Sequence, residues 1–399
     1  MVERARRGYV QIVKRQVPHA VLSWRYFVPG QHHMVQLHKR SFLALWTTRP
    51  WVLWSAVALY SYAVWYFFYA WRQSLGAWRR HSANLLLHAG VPRARQARDL
   101  LVLALLHSTP PVFYYRYRLY AYPEQQWLNF VYTHELPHWH RILSPDIGDR
   151  SQSLMTQKND FSVEMARRGL PSVPTHDRVE VAAAMSKDTL FRQRSVFLKP
   201  DVGSRKGGCY ALVYQPNTRA YHLQGAHHDR VISQDQILDY LGKNRLAQVY
   251  LLQPLLKNHS RLEAHFQITA LIVVRIVTVM VSGAPKAICA QLEVPIEGQF
   301  EYVNSFKIDL ETGRLCSVAD DLGMDHEATQ RLNVLSQFDV PFWSAVVSLA
   351  EKAHQSFGDI YSVGWDIAIT PDGLRLIEGN LNWAVAVHQR HGDVFNLQA

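Results

Sequence analysis

The chain opens basic and polar, turns apolar, and later settles into strand-like alternation. From Trp51 to Trp71 the stretch WVLWSAVALYSYAVWYFFYAW carries no charged residue, and it is about as long as a helix that crosses a bilayer. Lys39, Arg40 and Arg49 precede it, Arg72, Arg79 and Arg80 follow, and Trp and Tyr crowd both ends as they do at membrane interfaces. Three readings stay open: a span, a helix lying in the interface, or a buried helix of a bundle. Residues 80–110 read as helical, with apolar positions three and four apart. A Pro- and Tyr-rich stretch, STPPVFYYRYRLYAYPEQQW, follows, and 111–150 reads as a connector. Beyond it, strands alternate with helices, the pattern of an α/β or α+β catalytic domain. The expected organisation is a basic segment 1–41, a helical region 42–110, the connector, and a catalytic domain 151–399. That domain divides into a lid over about 191–256 and a C-terminal part over about 257–399.

Composition narrows the partners. Lys and Arg (43) outnumber Asp and Glu (32), for a formal charge of +11, which favours nucleotide, phosphorylated substrate or anionic lipid. Neither a zinc-finger spacing nor an RNA-binding signature is present, so nucleic acid is not expected. Cys209, Cys289 and Cys316 form no C-x-x-C pair and fit a reducing cytosol. The basic start leads into no short apolar core with a cleavage site, so no secretory signal is expected. His134-Glu135-Leu136-Pro137-His138 matches the zinc-protease pattern H-E-x-x-H. That pattern needs both histidines on one helical face, and Pro137 disfavours the uninterrupted turn. Packing or surface histidines are the better account.

The chemistry gathers near the end, in SVGWDIAITPDGLRLIEGNLNW. Residues 363–369 and 374–378 read as strands joined by Pro371-Asp372-Gly373, a three-residue loop closed by glycine. Thr370 is then expected opposite Leu374, which sets Asp366 opposite Glu378 and puts Asn380 on the same face. Two carboxylates and an amide on one patch suit hard Mg²⁺ ions. In SVFLKPDVGSRKGGCYALVY a strand ends at Lys199, before a loop with Gly203, Ser204, Gly207 and Gly208. Such glycines let amide hydrogens approach phosphate, and lysine adds a point charge. A plain hairpin turn accounts for that loop equally well. In VYLLQPLLKNHS, the backbone from Gln253 to Leu256 offers an edge for adenine, with Leu255 and Leu256 on its ring; a core strand and loop is the alternative. Arg275 is a lone cation in the apolar run ITALIVVRIVTVMVSG and needs an anion partner, in a structural ion pair or an active site.

In this order the pieces resemble the ATP-grasp superfamily, and more narrowly its sugar-transfer-associated domains, over roughly residues 150–390. The resemblance implies an α+β ATP-grasp fold, two subdomains clasping ATP, behind a helical, membrane-associated N-terminal region. It implies that Lys158 and Lys199 grip the triphosphate while the Gly203–Gly208 loop, Ser204 included, closes over it. Gln253, Leu255 and Leu256 would hold adenine, and Asn258, His259 or Ser260 the ribose. Asp366, Glu378 and Asn380 would bind two Mg²⁺, with catalytic Arg275 and Lys199 near the γ-phosphate. The superfamily's usual activity makes an ATP-dependent carboxylate–amine ligase the expectation. Its acceptor would be an unidentified carboxylate or sugar-linked compound of the cell envelope or an exopolysaccharide, met at the cytoplasmic face of the inner membrane. A sugar phosphotransferase and a silent nucleotide-binding subunit are the alternatives. Nothing in the sequence sets the oligomeric state.

Overall fold

A computed structural model describes residues 16–47, 51–180, 191, 194–202, 208–225, 228–244, 247–296, 299–318, 335–381, 383 and 385–389. The chain divides into two compact units, one built mainly from residues 1–145, the other from 146–318 and 332–383.

The first unit is helical. Helix α1 spans His33–Thr47, and α2 runs Trp51–Ala89 with a π-helical turn at Trp65–Tyr69. Gly90, left-handed at φ 66°, ends α2. A further helix at Arg93–Leu101 passes into a π turn at Val102–Leu106. Residues 111–145 do not form a connector. Tyr114, Tyr117, Phe130 and Tyr132 are buried in the core of this unit with Leu100 and Leu103, because aromatic side chains this dense have far too much apolar surface to leave wet. Glu135 is fully buried and takes up His38 Nδ1 at 2.9 Å and the Tyr132 amide at 3.1 Å. The short helix containing Pro137 starts only at Leu136, so His134 and His138 do not share a helix.

Helix α2 has two unlike faces. Ala58, Ser61, Tyr62 and Trp65, spaced three and four apart, are buried. The Tyr62 hydroxyl donates to the Ala20 carbonyl at 2.7 Å and the Trp65 indole to that of Ala104 at 2.9 Å. Leu59, Phe67, Phe68 and Trp71 stand exposed on the other side. The helix is long and apolar enough to cross a membrane, and only 22% of its apolar window is buried.

The second unit holds two antiparallel six-stranded sheets. The first, in the order β1-β6-β2-β3-β4-β5, uses β1 Asp177–Glu180, β2 Val196–Pro200, β3 Tyr210–Gln215, β4 Ala220–Gly225, β5 His228–Ile232 and β6 Val249–Pro254. The second runs β10-β9-β8-β7-β11-β12, from β7 Val273–Val281, β8 Ala284–Ile296, β9 Gln299–Ile308, β10 Leu315–Val318, β11 Ser362–Thr370 and β12 Gly373–Asn380. Along β11 alternate residues part. Trp365, Ile367 and Ile369 are buried in an apolar face, where Trp365 packs against Phe161 of helix α3 (Lys158–Arg167) and against Phe357. Helix α4, Trp343–Gln355, lies against β7, β8 and β11. The other face carries Asp366 and its neighbours.

The β11–β12 hairpin reaches its expected pairing by another route. Thr370 pairs with Gly373, not Leu374, so the loop is the two residues Pro371 and Asp372; Gly373 has φ 104°. A bulge at Ile377 then adds one residue to β12, between the pairs Ile367–Leu376 and Asp366–Glu378. A shorter turn and an extra strand residue cancel, since each shifts the register by one. Asp366 therefore does face Glu378.

Candidate functional site

The polar face of the second sheet is organised around Arg275. Its Nε and Nη2 donate to the two oxygens of Asp366, each at 2.8 Å, and Nη1 lies 2.9 Å from Glu293 Oε1. Arg275 pairs directly with Asp366 across β7 and β11, a register that makes the fork-to-fork contact possible. Burial works against the guanidinium charge, but Asp366 and Glu293 outweigh it and raise its pKa. The lone cation of β7 is thus an ion-pair partner of the very carboxylate expected to bind metal. Glu293 escaped the sequence reading. Its signal was present: Gln291 and Glu293 are polar, two apart, inside the largely apolar β8, and so share a face.

Beside this clamp stand Glu378, opposite Asp366, and Asn380, whose Nδ2 donates to Glu378 Oε1 at 3.2 Å. That bond uses the Asn380 amide nitrogen; its amide oxygen is an acceptor that the Glu378 contact does not use. The donor set is oxygen only, which fits a hard cation such as Mg²⁺. The competing cation, Arg275, already shows that the patch is built to hold positive charge.

Lys199, at the end of β2, is buried in the first sheet. Burial lowers its pKa, Glu378 and Asp366 act to raise it, and Lys158 pushes it down again. Lys158, Glu378 and Asp366 therefore each lie within electrostatic reach of Lys199. Lys158 is placed by its helix: the Lys158 and Asn159 amides donate to the Asp201 carbonyl and carboxylate, each at 3.2 Å. Asp201, also paired with Arg178 at 3.3 Å, thereby caps the positive end of α3. It is a second residue that the sequence did not announce.

The remaining expectations divide. Gln253 is buried on β6 opposite Phe197, and Leu255 and Leu256 follow the strand half-buried. Asn258 does not present itself to a ribose. Its Nδ2 donates to the Ile268 and Ala270 carbonyls and its Oδ1 accepts from the Ile272 amide at 2.8 Å, so the whole amide braces the approach to β7. Gly208, at φ 77°, is described, whereas Gly203, Ser204 and Gly207 lie outside the described residues, as do the basic residues before 16 and Arg49.

Replacing Arg275 by methionine leaves Asp366 and Glu293 without their counter-charge. Arg275→Met is expected to lower stability in urea unfolding by about 3 kcal/mol, the low end for a broken buried pair, since 23% of the side chain is exposed. A loss below about 1 kcal/mol would show that the clamp does not hold the sheet's polar face.

The profile of the sugar-transfer associated ATP-grasp family matches residues 193–394. Among solved structures, the chain is similar to the ATP-grasp ligase PsnB complexed with a minimal precursor, at 14% identity and TM-score 0.35, with 70% of this chain and 68% of that one covered. It is similar to the D-alanine–D-alanine ligase from Coxiella burnetii at 13% identity and TM-score 0.33, covering 58% of this chain and 48% of that one. For the L-amino acid ligase from Bacillus licheniformis the figures are 10% identity, TM-score 0.36, and 64% and 47% covered. No curated protein matches. The matched profile takes in half of the chain, from β2 through the Asp366–Glu378 hairpin, and the chain belongs to the sugar-transfer associated ATP-grasp family.

Proposed function

We propose that the chain is an ATP- and Mg²⁺-dependent carboxylate–amine ligase, working on a cell-envelope or exopolysaccharide-related acid at a membrane surface. The observation that carries this reading is the hairpin that sets Asp366 opposite Glu378 and bonds Asn380 to Glu378, with Lys199 within electrostatic reach of both carboxylates and of Lys158. Magnesium held by Asp366, Glu378 and Asn380 would supply neutralisation of the β- and γ-phosphate charge. Lys199 and Lys158 add fixed positive charge to the triphosphate, and Lys199 does so from a desolvated position where charge counts for more. Arg275, one strand from Asp366, offers the acceptor carboxylate a cation. An acceptor carboxylate oxygen bonds to the γ-phosphorus as the bond to ADP breaks. An amine then bonds to the acyl carbon, phosphate departs, and the amine's proton passes to solvent. Positioning and charge neutralisation are the protein's share of this work.

The first unit supports the membrane part. A span by α2 would drag its packed neighbours into hydrocarbon. Tyr66 bonds Ser108, and the adjoining His107 bonds Glu124 at 2.7 Å, itself paired with Arg25. Charges are costly at that depth. A helix lying in the interface keeps them wet while Leu59, Phe67, Phe68 and Trp71 enter the lipid.

Three outcomes are expected. Glu378→Gln lowers Mg²⁺-dependent ADP release by about 100-fold or more, and chelation of magnesium abolishes it in the wild type. Undiminished release by the variant would place the site elsewhere, and a phosphorylated sugar without a new amide would mark a phosphotransferase. Second, because burial lowers the Lys199 pKa, its charge is lost at lower pH than an ordinary lysine's. The affinity of the free protein for a fluorescent ATP analogue then falls early on the alkaline side. Lys199→Arg moves that fall upward; identical profiles would remove Lys199 from the phosphate site. Third, the full chain sediments with phosphatidylglycerol vesicles and is released by alkaline carbonate. Retention after carbonate would mean a span, and failure to bind vesicles would end the membrane reading.

A further inference from the structure

The polar row of the second sheet does not stop at Arg275. Direct cross-strand pairs continue it: Glu378 with Asp366, Asp366 with Arg275, Arg275 with Gln291, and Gln291 with Lys307. Directly paired residues share a face, so one line of side chains crosses five strands from an anionic end to a cationic one. The anionic end is compensated by Arg275. The other end is not. Gln291 is only 1% exposed; its Nε2 donates to Glu293 Oε1 at 2.9 Å, which fixes the orientation of the amide because a carboxylate only accepts. Its Oε1 is buried with no hydrogen-bond partner among the described residues. A buried acceptor left unpaired is costly, and it calls for a donor. Lys307 has no ion pair among the described residues; its electrostatic neighbours are the Cys289 thiol and Asp309, whose carboxylate is taken up by Thr312.

We infer that Gln291 and Lys307 form the acceptor subsite, and that the acceptor is a dianion in the sense of bearing two separate anionic groups. Its reacting carboxylate lies toward Arg275, a second anionic group pairs with Lys307, and a hydroxyl or N–H between them donates to Gln291 Oε1. This rests on the reading of the chain as an ATP-dependent enzyme with an acidic acceptor, and it specifies that acceptor. Arg275 and Lys307 are two strands apart, about 10 Å at ordinary sheet spacing, so the two anions belong to a compound at least as long as a substituted monosaccharide. Lys307 and Gln291 bind and orient; neither takes part in bond making.

The test uses calorimetry on the full chain, saturated with Mg²⁺ and a non-hydrolysable ATP analogue. Glucuronate 1-phosphate, which has two anions with hydroxyls between them, is expected to bind about tenfold or more tightly than glucuronate or glucose 1-phosphate. Lys307→Met, on a half-buried side chain, should reduce its affinity to that of glucuronate while the affinity for the ATP analogue stays within about twofold of wild type. Gln291→Met should weaken the dianion about threefold or more. If Lys307→Met binds the dianion as tightly as wild type, or if the wild type prefers none of these acids, the subsite is overturned while the nucleotide reading survives. If the wild type fails to bind Mg²⁺ and the ATP analogue, the nucleotide reading falls, and the subsite falls with it.

Discussion

Everything on the polar face of the second sheet depends on one guanidinium. Arg275 sits between Asp366 and Glu293, and without it two largely buried carboxylates on the strands either side of β7 would lose the guanidinium that neutralises them. The clamp does two jobs at once. It makes a carboxylate-rich face compatible with a folded sheet, and it keeps Asp366 aimed where Glu378 and Asn380 can share a cation with it. On the proposed reading, a metal arriving at these oxygens would compete with Arg275 for Asp366, and metal binding would thereby be coupled to release of the guanidinium toward an acceptor.

The sheet achieves this because its two faces are chemically opposite. Trp365 and Ile367 hold the apolar side, and Asp366, between them in sequence, turns to the opposite face, where it is buried against Arg275. Lys199 and Lys158 come from elsewhere in the unit, one at the end of β2 and the other at the head of α3. Asp201 ties those two elements together through the helix amides. This cap contributes to the position of Lys158 through its own amide and that of Asn159.

How much of this was legible in the sequence follows from how local each interaction is. The hairpin was legible because turn residues and alternation are local, although the turn is one residue shorter than expected and an unforeseen bulge offsets the difference. Arg275 stood out because a cation in an apolar strand must find an anion; which anion depended on pairing between strands about ninety positions apart. Glu293 was overlooked although alternation in β8 marked it locally; only its pairing with Arg275 depended on the tertiary fold. Asn258 was misread because an amide in a polar turn looks the same whether it serves a ligand or the backbone, and only the tertiary fold brings Ile268, Ala270 and Ile272 to it. The aromatic stretch after residue 110 was taken for a connector because proline and tyrosine mark loops as readily as they fill small cores.

The bulge at Ile377 has a consequence for how such a chain tolerates change. Its residue serves as slack in the strand: the pairing of Asp366 with Glu378 is the same whether β12 carries one residue more and the turn one fewer, or the reverse. Single-residue insertions and deletions on this hairpin can therefore offset one another without moving a ligand. Lineages that differ in the length of this turn can still present the same three oxygens, and a gap placed here in a comparison of sequences would signal drift in the turn, not loss of the site.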